Sequence, residues 1–310
     1  MGEYNKNSFN ASDIAREGWI KYLPHFAQPY ARLARLDRPI GTWLLLLPGW
    51  WGLTIGANLS ENTAFAPIEY YLYFAIGALV MRGAGCTWND ITDQDFDRKV
   101  ARTADRPLPS GEVSTFSAMI FLILQCLIGL AILLQFNGFA QIVGISSLLL
   151  VAGYPFMKRI TYWPQAWLGL TFNWGALVGF AAIHETITLP AILLYIAGLF
   201  WTLGYDTIYA HQDKEDDALI GVKSTALRFQ ENTKAWIGVF YALTLVLIAY
   251  AGHLAGLPLY GFIFFAAAAL HLAYQVIGLE INNPVNCLKL FKSNRDFGIL
   301  ILLGLLTGGL

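Results

Sequence analysis

Apolar residues collect into nine long runs along the chain: Ile40 to Leu59, Ile68 to Trp88, Phe116 to Phe136, Phe139 to Met157, Pro164 to His184, Leu189 to Ala210, Ala235 to Gly256, Pro258 to Gly278, and Phe297 to Leu310. A helix needs about 20 apolar residues to cross a bilayer, so the pattern predicts an all-α polytopic membrane protein, a bundle of about nine transmembrane helices, the last of them short. Residues 1–39 read as a polar N-terminal segment and 40–310 as a single transmembrane domain. Polar stretches after the second and sixth runs, at about 89–115 and 211–234, are long, whereas the turns at the opposite ends are short. Long polar loops gathered on one face are where function is expected. The two loops recur at the same place in successive groups of helices, which suggests a weak internal repeat of four helices.

Composition agrees with this reading. Of the 310 residues, 56% are hydrophobic and 13% charged, about half the roughly 25% charged fraction of soluble domains, which leaves no room for a large water-soluble domain. A net charge of −1 excludes a generally basic nucleic-acid binder. Three scattered cysteines, Cys86, Cys126 and Cys287, offer neither a disulfide framework nor a metal-ligand spacing.

The placement of charge says more than its total. Of the 20 Lys and Arg residues all but Arg82, which is inside the second run, lie before the first run or in alternate loops, while the loops around Glu61, Asn137, Glu185 and Gly256 have none. That alternation predicts a cytoplasmic N-terminus and cytoplasmic long loops. The first 39 residues carry Asp13, Glu17 and Asp37 without an apolar core, which argues against a signal peptide and against an acid-poor mitochondrial transit peptide. A bacterial cytoplasmic (inner) membrane is therefore the expected location.

Both long loops open on acids. Asn89, Asp93 and Asp97 are spaced i, i+4, i+8, so a helix continuing out of the second run places them on one face. Asp213 and Asp217 repeat the four-residue spacing after the sixth run. Like charges so spaced destabilise a bare helix, and something cationic should offset them. Mg²⁺ takes oxygen ligands and is usually held by one or two carboxylates plus substrate phosphates, so two facing acidic clusters would hold a diphosphate between metal ions. Arg98, Lys99, Arg102 and Arg106 follow the first cluster, and Lys223 and Arg228 the second, supplying phosphate contacts. A single acidic run is more often a solvated face. Two runs on one membrane face, each abutting an apolar helix with the same spacing, favour a site.

The stretch from Arg82 through Asn89 and Asp90 to Asp97, followed by Arg102-Thr103-Ala104-Asp105-Arg106-Pro107-Leu108, resembles the first signature of the UbiA superfamily of intramembrane aromatic prenyltransferases. Tyr205-Asp206-Thr207, Tyr209-Ala210, Asp213, Asp216-Asp217, Gly221 and Lys223-Ser224-Thr225 resemble the second. Arg35-Leu36-Asp37-Arg38-Pro39-Ile40-Gly41, Tyr154 to Arg159, Pro164, Gln165 and Leu168 narrow the match to the members that prenylate 4-hydroxybenzoate. Lys214 and Glu215 depart from the pattern between the second set of acids, but Asp213 and Asp217 remain.

The resemblance implies Mg²⁺-dependent transfer of a polyprenyl chain from polyprenyl diphosphate to the carbon ortho to the hydroxyl of 4-hydroxybenzoate, in ubiquinone synthesis. It makes the lipid bilayer a partner and calls for no obligatory protein partner. Asn89, Asp93, Asp97, Asp213 and Asp217 would hold the metal, and Trp88, Phe172, Trp174 or Tyr205 would face the allylic cation. The acceptor carboxylate needs a cation: Arg159 is favoured, with Lys158 beside it and Arg38 a weaker candidate. That pair could instead anchor the helix at lipid headgroups. Arg82, two turns before Asn89 inside an apolar run, should face the bundle interior, as a phosphate contact or in a structural ion pair. Asp206 and Tyr209 would fix a metal ligand or orient the acceptor. His271 and Gln275 read as interhelical packing.

Other readings stay open at this stage. A CDP-alcohol phosphotransferase would show an Asp-Gly pair followed by Ala-Arg and further acids, a string absent here. A transporter would place acids near the bilayer midplane rather than at helix ends. Within the superfamily, menaquinone-precursor, haem, chlorophyll and homogentisate acceptors would share the acidic signatures.

Overall fold

The computed structural model describes residues 18–61, 64–98 and 103–310, and the described residues form helices joined by turns and loops, without strands. In chain order the helices are α1 (Gln28–Leu33), α2 (Ile40–Asn58), α3 (Ile68–Asp97), α4 (Thr115–Leu133), α5 (Gly138–Ile160), α6 (Pro164–Phe172), α7 (Trp174–His184), α8 (Leu189–Ala210), α9 (Lys214–Ile220), α10 (Thr225–Phe229), α11 (Thr233–Leu254), α12 (Gly261–Gly278) and α13 (Pro284–Leu306). Their ends follow local chemistry. Ser114, Asn137, Ser224 and Asn283 each accept a main-chain N–H at the start of α4, α5, α10 and α13. Gly221, at φ 77°, closes α9 in the left-handed region that glycine enters without strain.

Seven helical units of the described residues are long and apolar enough to cross a membrane. The other two expected crossings belong to α3 and α13, which are longer than their apolar runs. α3 carries its polar C-terminal end in the same helix, and α13 starts at Pro284, well before Phe297, because Asn283 caps it there. By length and composition alone, seven crossings are shown among the described residues.

The run from Pro164 to His184 is split by Asn173 into α6 and α7. The Asn173 amide donates to the Gly169 carbonyl at 2.8 Å and to the Thr202 hydroxyl at 2.8 Å, replacing helical partners at the break.

Helices α2 and α8 form the centre. In α2 78% of the membrane-length window is buried, against 11% in α4 and α5, whose apolar faces turn outward to lipid. α2 and α7 approach closely because glycines meet main chain: a Cβ on Gly52 would collide with the Ala176 carbonyl, and one on Gly179 with that of Gly49. Trp51, Trp201, Tyr205 and Phe297 interlock at the core, with Trp51 and Trp201 centroids 5.2 Å apart. Behind them the Trp201 indole donates to Asn294 at 2.8 Å, and the Tyr241 hydroxyl donates to Gln275 at 2.7 Å. His271 and Gln275 thus serve packing between α11, α12 and α13.

Candidate active site

α3 continues unbroken to Asp97, so the helix itself carries the first acidic stretch. Asp90 and Asp93 are fully buried and Asp97 nearly so, while Asp95 points to solvent. Four cations converge on the three buried acids. The Arg35 guanidinium grips Asp90 through both carboxylate oxygens at 2.6 and 2.8 Å. Arg106 donates to Asp97 at 2.8 Å and reaches Asp90 at 3.4 Å. Lys158 and Arg159, at the end of α5, hold Asp93 at 2.5 and 3.0 Å. Burial alone would lower the Arg35 pKa, but the adjacent Asp90 charge overcomes this and holds it above its ordinary value. Asp97 goes the other way: burial raises its pKa, and the Arg106 charge opposes that only in part.

The second stretch leaves the end of α8. Asp213 sits at the start of α9 and Asp217 within it, joined through the main chain by a 2.8 Å bond from the Asp217 N–H to the Asp213 carbonyl. The Thr207 and Thr225 hydroxyls meet at 2.6 Å and fold the following loop back on α8. Gln165 accepts the Thr225 N–H at 3.1 Å and ties the loop to α6.

Between these helices lies a cavity of about 440 Å³. Most of its wall is apolar, and Phe172, Trp174 and Tyr205 present rings to it. Its polar end is built by Arg38, Arg82, Tyr154, Asp206 and Tyr209. The Arg82 guanidinium lies over the Phe172 ring at 5.4 Å and packs against Gly41, where a Cβ would displace it. Its buried Nε has no hydrogen-bond partner. Arg38 donates to Asp37 at 3.1 Å, and Tyr209 stacks against Phe291 with centroids 4.5 Å apart.

The expected site residues therefore divide. Arg82, Arg38, Asp206 and Tyr209 face the cavity, whereas Lys158 and Arg159 do not line it. Arg159 is turned toward α3: it also donates to the Thr92 carbonyl at 2.9 Å and lies over Phe96 at 4.7 Å. Arg106 pairs through one nitrogen with Asp90 and Asp97 while its buried Nε has no hydrogen-bond partner, and the Lys223 ammonium donates to the Ile160 carbonyl at 3.0 Å. Arg102 lies outside the described residues. Trp88 donates to the Ala152 carbonyl at 3.3 Å and is not part of the cavity wall.

Among the described residues, no three acids converge closely enough to hold a metal. The donor set nevertheless suits a hard divalent cation: every side-chain donor expected of the two stretches is a carboxylate or amide oxygen, on helix ends that face one membrane side. The Asp93 and Asp97 charges that a cation would offset are balanced here by lysine and arginine.

A model of the UbiA prenyltransferase family matches residues 45–301. The chain belongs to this family. It is thus a prenyltransferase, embedded in a membrane through its apolar helices. The mitochondrial 4-hydroxybenzoate polyprenyltransferase of Bos taurus is 49% identical over 296 residues, 94% of this chain and 78% of that protein. Its human counterpart is 48% identical over 295 residues, with the same coverage. A UbiA homologue from Aeropyrum pernix superposes with a TM-score of 0.71 at 24% identity, over 84% of this chain and 96% of that one.

These relatives correct the expected location. Proteins at 47–49% identity, from mammals, insects and a plant, are mitochondrial, and the bacterial inner membrane does not stand. Charge asymmetry reports which face of a membrane a loop occupies; it carries no information on which membrane that is.

Within the UbiA scaffold, sequence reasoning passed over Arg35 and Asp90 as a pair. Asp90 falls off the i, i+4 acid series, and nothing local announces a partner 55 residues away. Tyr154 was visible only as part of a signature and proves to line the cavity.

Proposed function

We propose that this prenyltransferase moves a polyprenyl group from polyprenyl diphosphate to the ring carbon ortho to the hydroxyl of 4-hydroxybenzoate, releasing diphosphate. The observation that carries this reading is the cavity: apolar along its wall, closed by Arg38, Arg82 and Asp206, and lined in part by α3 and α8, the helices that lead into the two acidic stretches. Arg82 precedes Asn89 by seven residues of α3, about 10 Å of helix, and Asp206 stands seven residues before Asp213, across the turn that ends α8. The names of the relatives at 47–49% identity support the acceptor. A UbiA homologue from Archaeoglobus fulgidus, similar in fold with a TM-score of 0.63 at 18% identity over 88% of this chain and 99% of that one, was solved with GPP and Mg²⁺.

Asn89, Asp93, Asp97, Asp213 and Asp217 would hold Mg²⁺, which when bound supplies positive charge to the departing diphosphate. Lys158 and Arg159, already beside Asp93, add to the positive field at that end. The apolar wall excludes water from the allylic cation, and the faces of Phe172, Trp174 and Tyr205 stabilise it. Arg82 takes the acceptor carboxylate in place of Arg159: it lines the cavity, and it has an unspent buried donor. Asp206 and Tyr209 orient the acceptor hydroxyl.

Membranes containing the protein, given 4-hydroxybenzoate and a polyprenyl diphosphate, should yield prenylated 4-hydroxybenzoate with Mg²⁺ and none with excess EDTA. Product from another aromatic acceptor alone would keep the transfer and discard the acceptor. Arg82→Met should raise the KM for 4-hydroxybenzoate about 10- to 100-fold, the range of one lost charge-assisted contact, and leave the KM for the prenyl diphosphate nearly unchanged. An equal rise in both constants would reassign Arg82 to the diphosphate.

A further inference from the structure

The last carbonyls of a helix have no partner within it and must be satisfied from outside. At the end of α5 they are taken by the second acidic loop: the Lys158 carbonyl accepts the Lys223 N–H at 2.9 Å, and the Ile160 carbonyl accepts the Lys223 ammonium at 3.0 Å. The same turn presents its side chains to the first acidic stretch, Lys158 and Arg159 to Asp93 and Arg159 to the Thr92 carbonyl. Lys158 thus touches both stretches, one through its side chain and the other through its backbone.

We propose that the C-terminal turn of α5 is a positioning element that sets the spacing of the two acidic stretches, with Lys158 as its pivot and Lys223 as the residue that fastens the second loop to it. The proposal rests on the reading that both stretches act on one diphosphate. Its physical basis is that each stretch is bound to this one turn, the first through the Lys158 and Arg159 side chains and the second through the Lys223 main chain and ammonium. Lys223 is well placed for such a role. The negative end of the helix dipole favours a cation there, and the Tyr162 ring lies 5.6 Å from the ammonium. Arg159 is stiffened by the Phe96 ring on one side and Phe156, at 5.6 Å, on the other. Gln165, bound to the Thr225 N–H just beyond Lys223, is a second tether from the following helix. A metal site shared between two loops needs their separation held to a fraction of an ångström. Lys223 in this role is a positioning residue rather than a diphosphate ligand.

The test is a distance measurement on the full chain. Asp95→Cys and Ala218→Cys, both at exposed positions, are spin-labelled in a Cys126→Ser background that removes the exposed native thiol. Double electron–electron resonance should give one narrow distance distribution. Lys223→Met should broaden it and weaken Mn²⁺ binding in the presence of inorganic diphosphate about tenfold, as losses of groups that orient metal ligands do. Lys223→Arg, which can still donate to the Ile160 carbonyl, should restore both. If Lys223→Met fails to accumulate, Gln165→Leu reads the same distance through the second tether and should broaden it as well. A distribution unchanged in the Lys223→Met protein, or in the Gln165→Leu protein where the first cannot be made, overturns the proposal. An unchanged distance with a raised KM for prenyl diphosphate does so by assigning Lys223 to the substrate. Absence of product from wild-type membranes would instead fall on the proposed function, since the distances are read without turnover.

Discussion

Replacement of Asp217 by Ala is expected to lower kcat by at least about 1,000-fold, about 4 kcal/mol of transition-state stabilisation, while the protein still folds. The bond broken in prenyl transfer leaves negative charge on diphosphate, and under the proposed function the carboxylates recruit the charge that offsets it. Asp217 is only partly buried, and its main-chain bonds to Asp213 and Val222 survive the loss of the side chain. Asp93→Ala should be equally inactive. The cations it releases, Lys158 and Arg159, are 28% and 35% exposed and can turn to water. Product formation measured beside a thermal melt checks both. Activity within tenfold of wild type, in either well-folded variant, would remove that residue from the metal set.

The second large effect falls on stability. Asp90→Ala should cost about 3–5 kcal/mol, because it leaves the Arg35 guanidinium, 7% exposed, buried without its bidentate partner. Arg35 is also at φ 57°, a left-handed conformation unusual for a side chain with a Cβ. Arg106 would lose one of its two acids and pair with Asp97 alone. Denaturant unfolding of the wild type and the Asp90→Ala and Asp90→Asn proteins separates charge from shape: Asn keeps the volume and one acceptor and should fall between the other two. A loss below about 1 kcal/mol for Asp90→Ala would show that the pair contributes little beyond its own desolvation.

Much of the site was legible because it sits on helices. The spacing of Asn89, Asp93 and Asp97 is a helical repeat, and α3 does carry them to its last turn. Arg82 was expected to face the bundle interior because a charge inside an apolar run has nowhere else to go, and it lines the cavity. Arg159 shows the limit of such reasoning. Its position at a helix end suits a carboxylate, and a carboxylate is what it holds, but that carboxylate is Asp93 rather than a ligand. Lys223 is a similar case, a cation beside acids whose partner is the backbone end of α5.

By itself the sequence determined what repeats along one helix or accumulates along one chain: the apolar runs, their charge-marked ends, the acid spacing and the signatures of a prenyltransferase. The runs, their ends and the spacing follow from short-range geometry, 1.5 Å and 100° per residue, and from the cost of placing charge in hydrocarbon, whereas the signatures are a resemblance to a known family. Tertiary structure alone decided the pairings: Arg35 with Asp90, Arg106 with Asp97, Lys158 and Arg159 with Asp93, and Lys223 with the end of α5. Each joins residues on different helices or loops, several of them more than 50 positions apart. Any of several cations could have neutralised each acid, and only the packing of the helices selects the one within 3 Å.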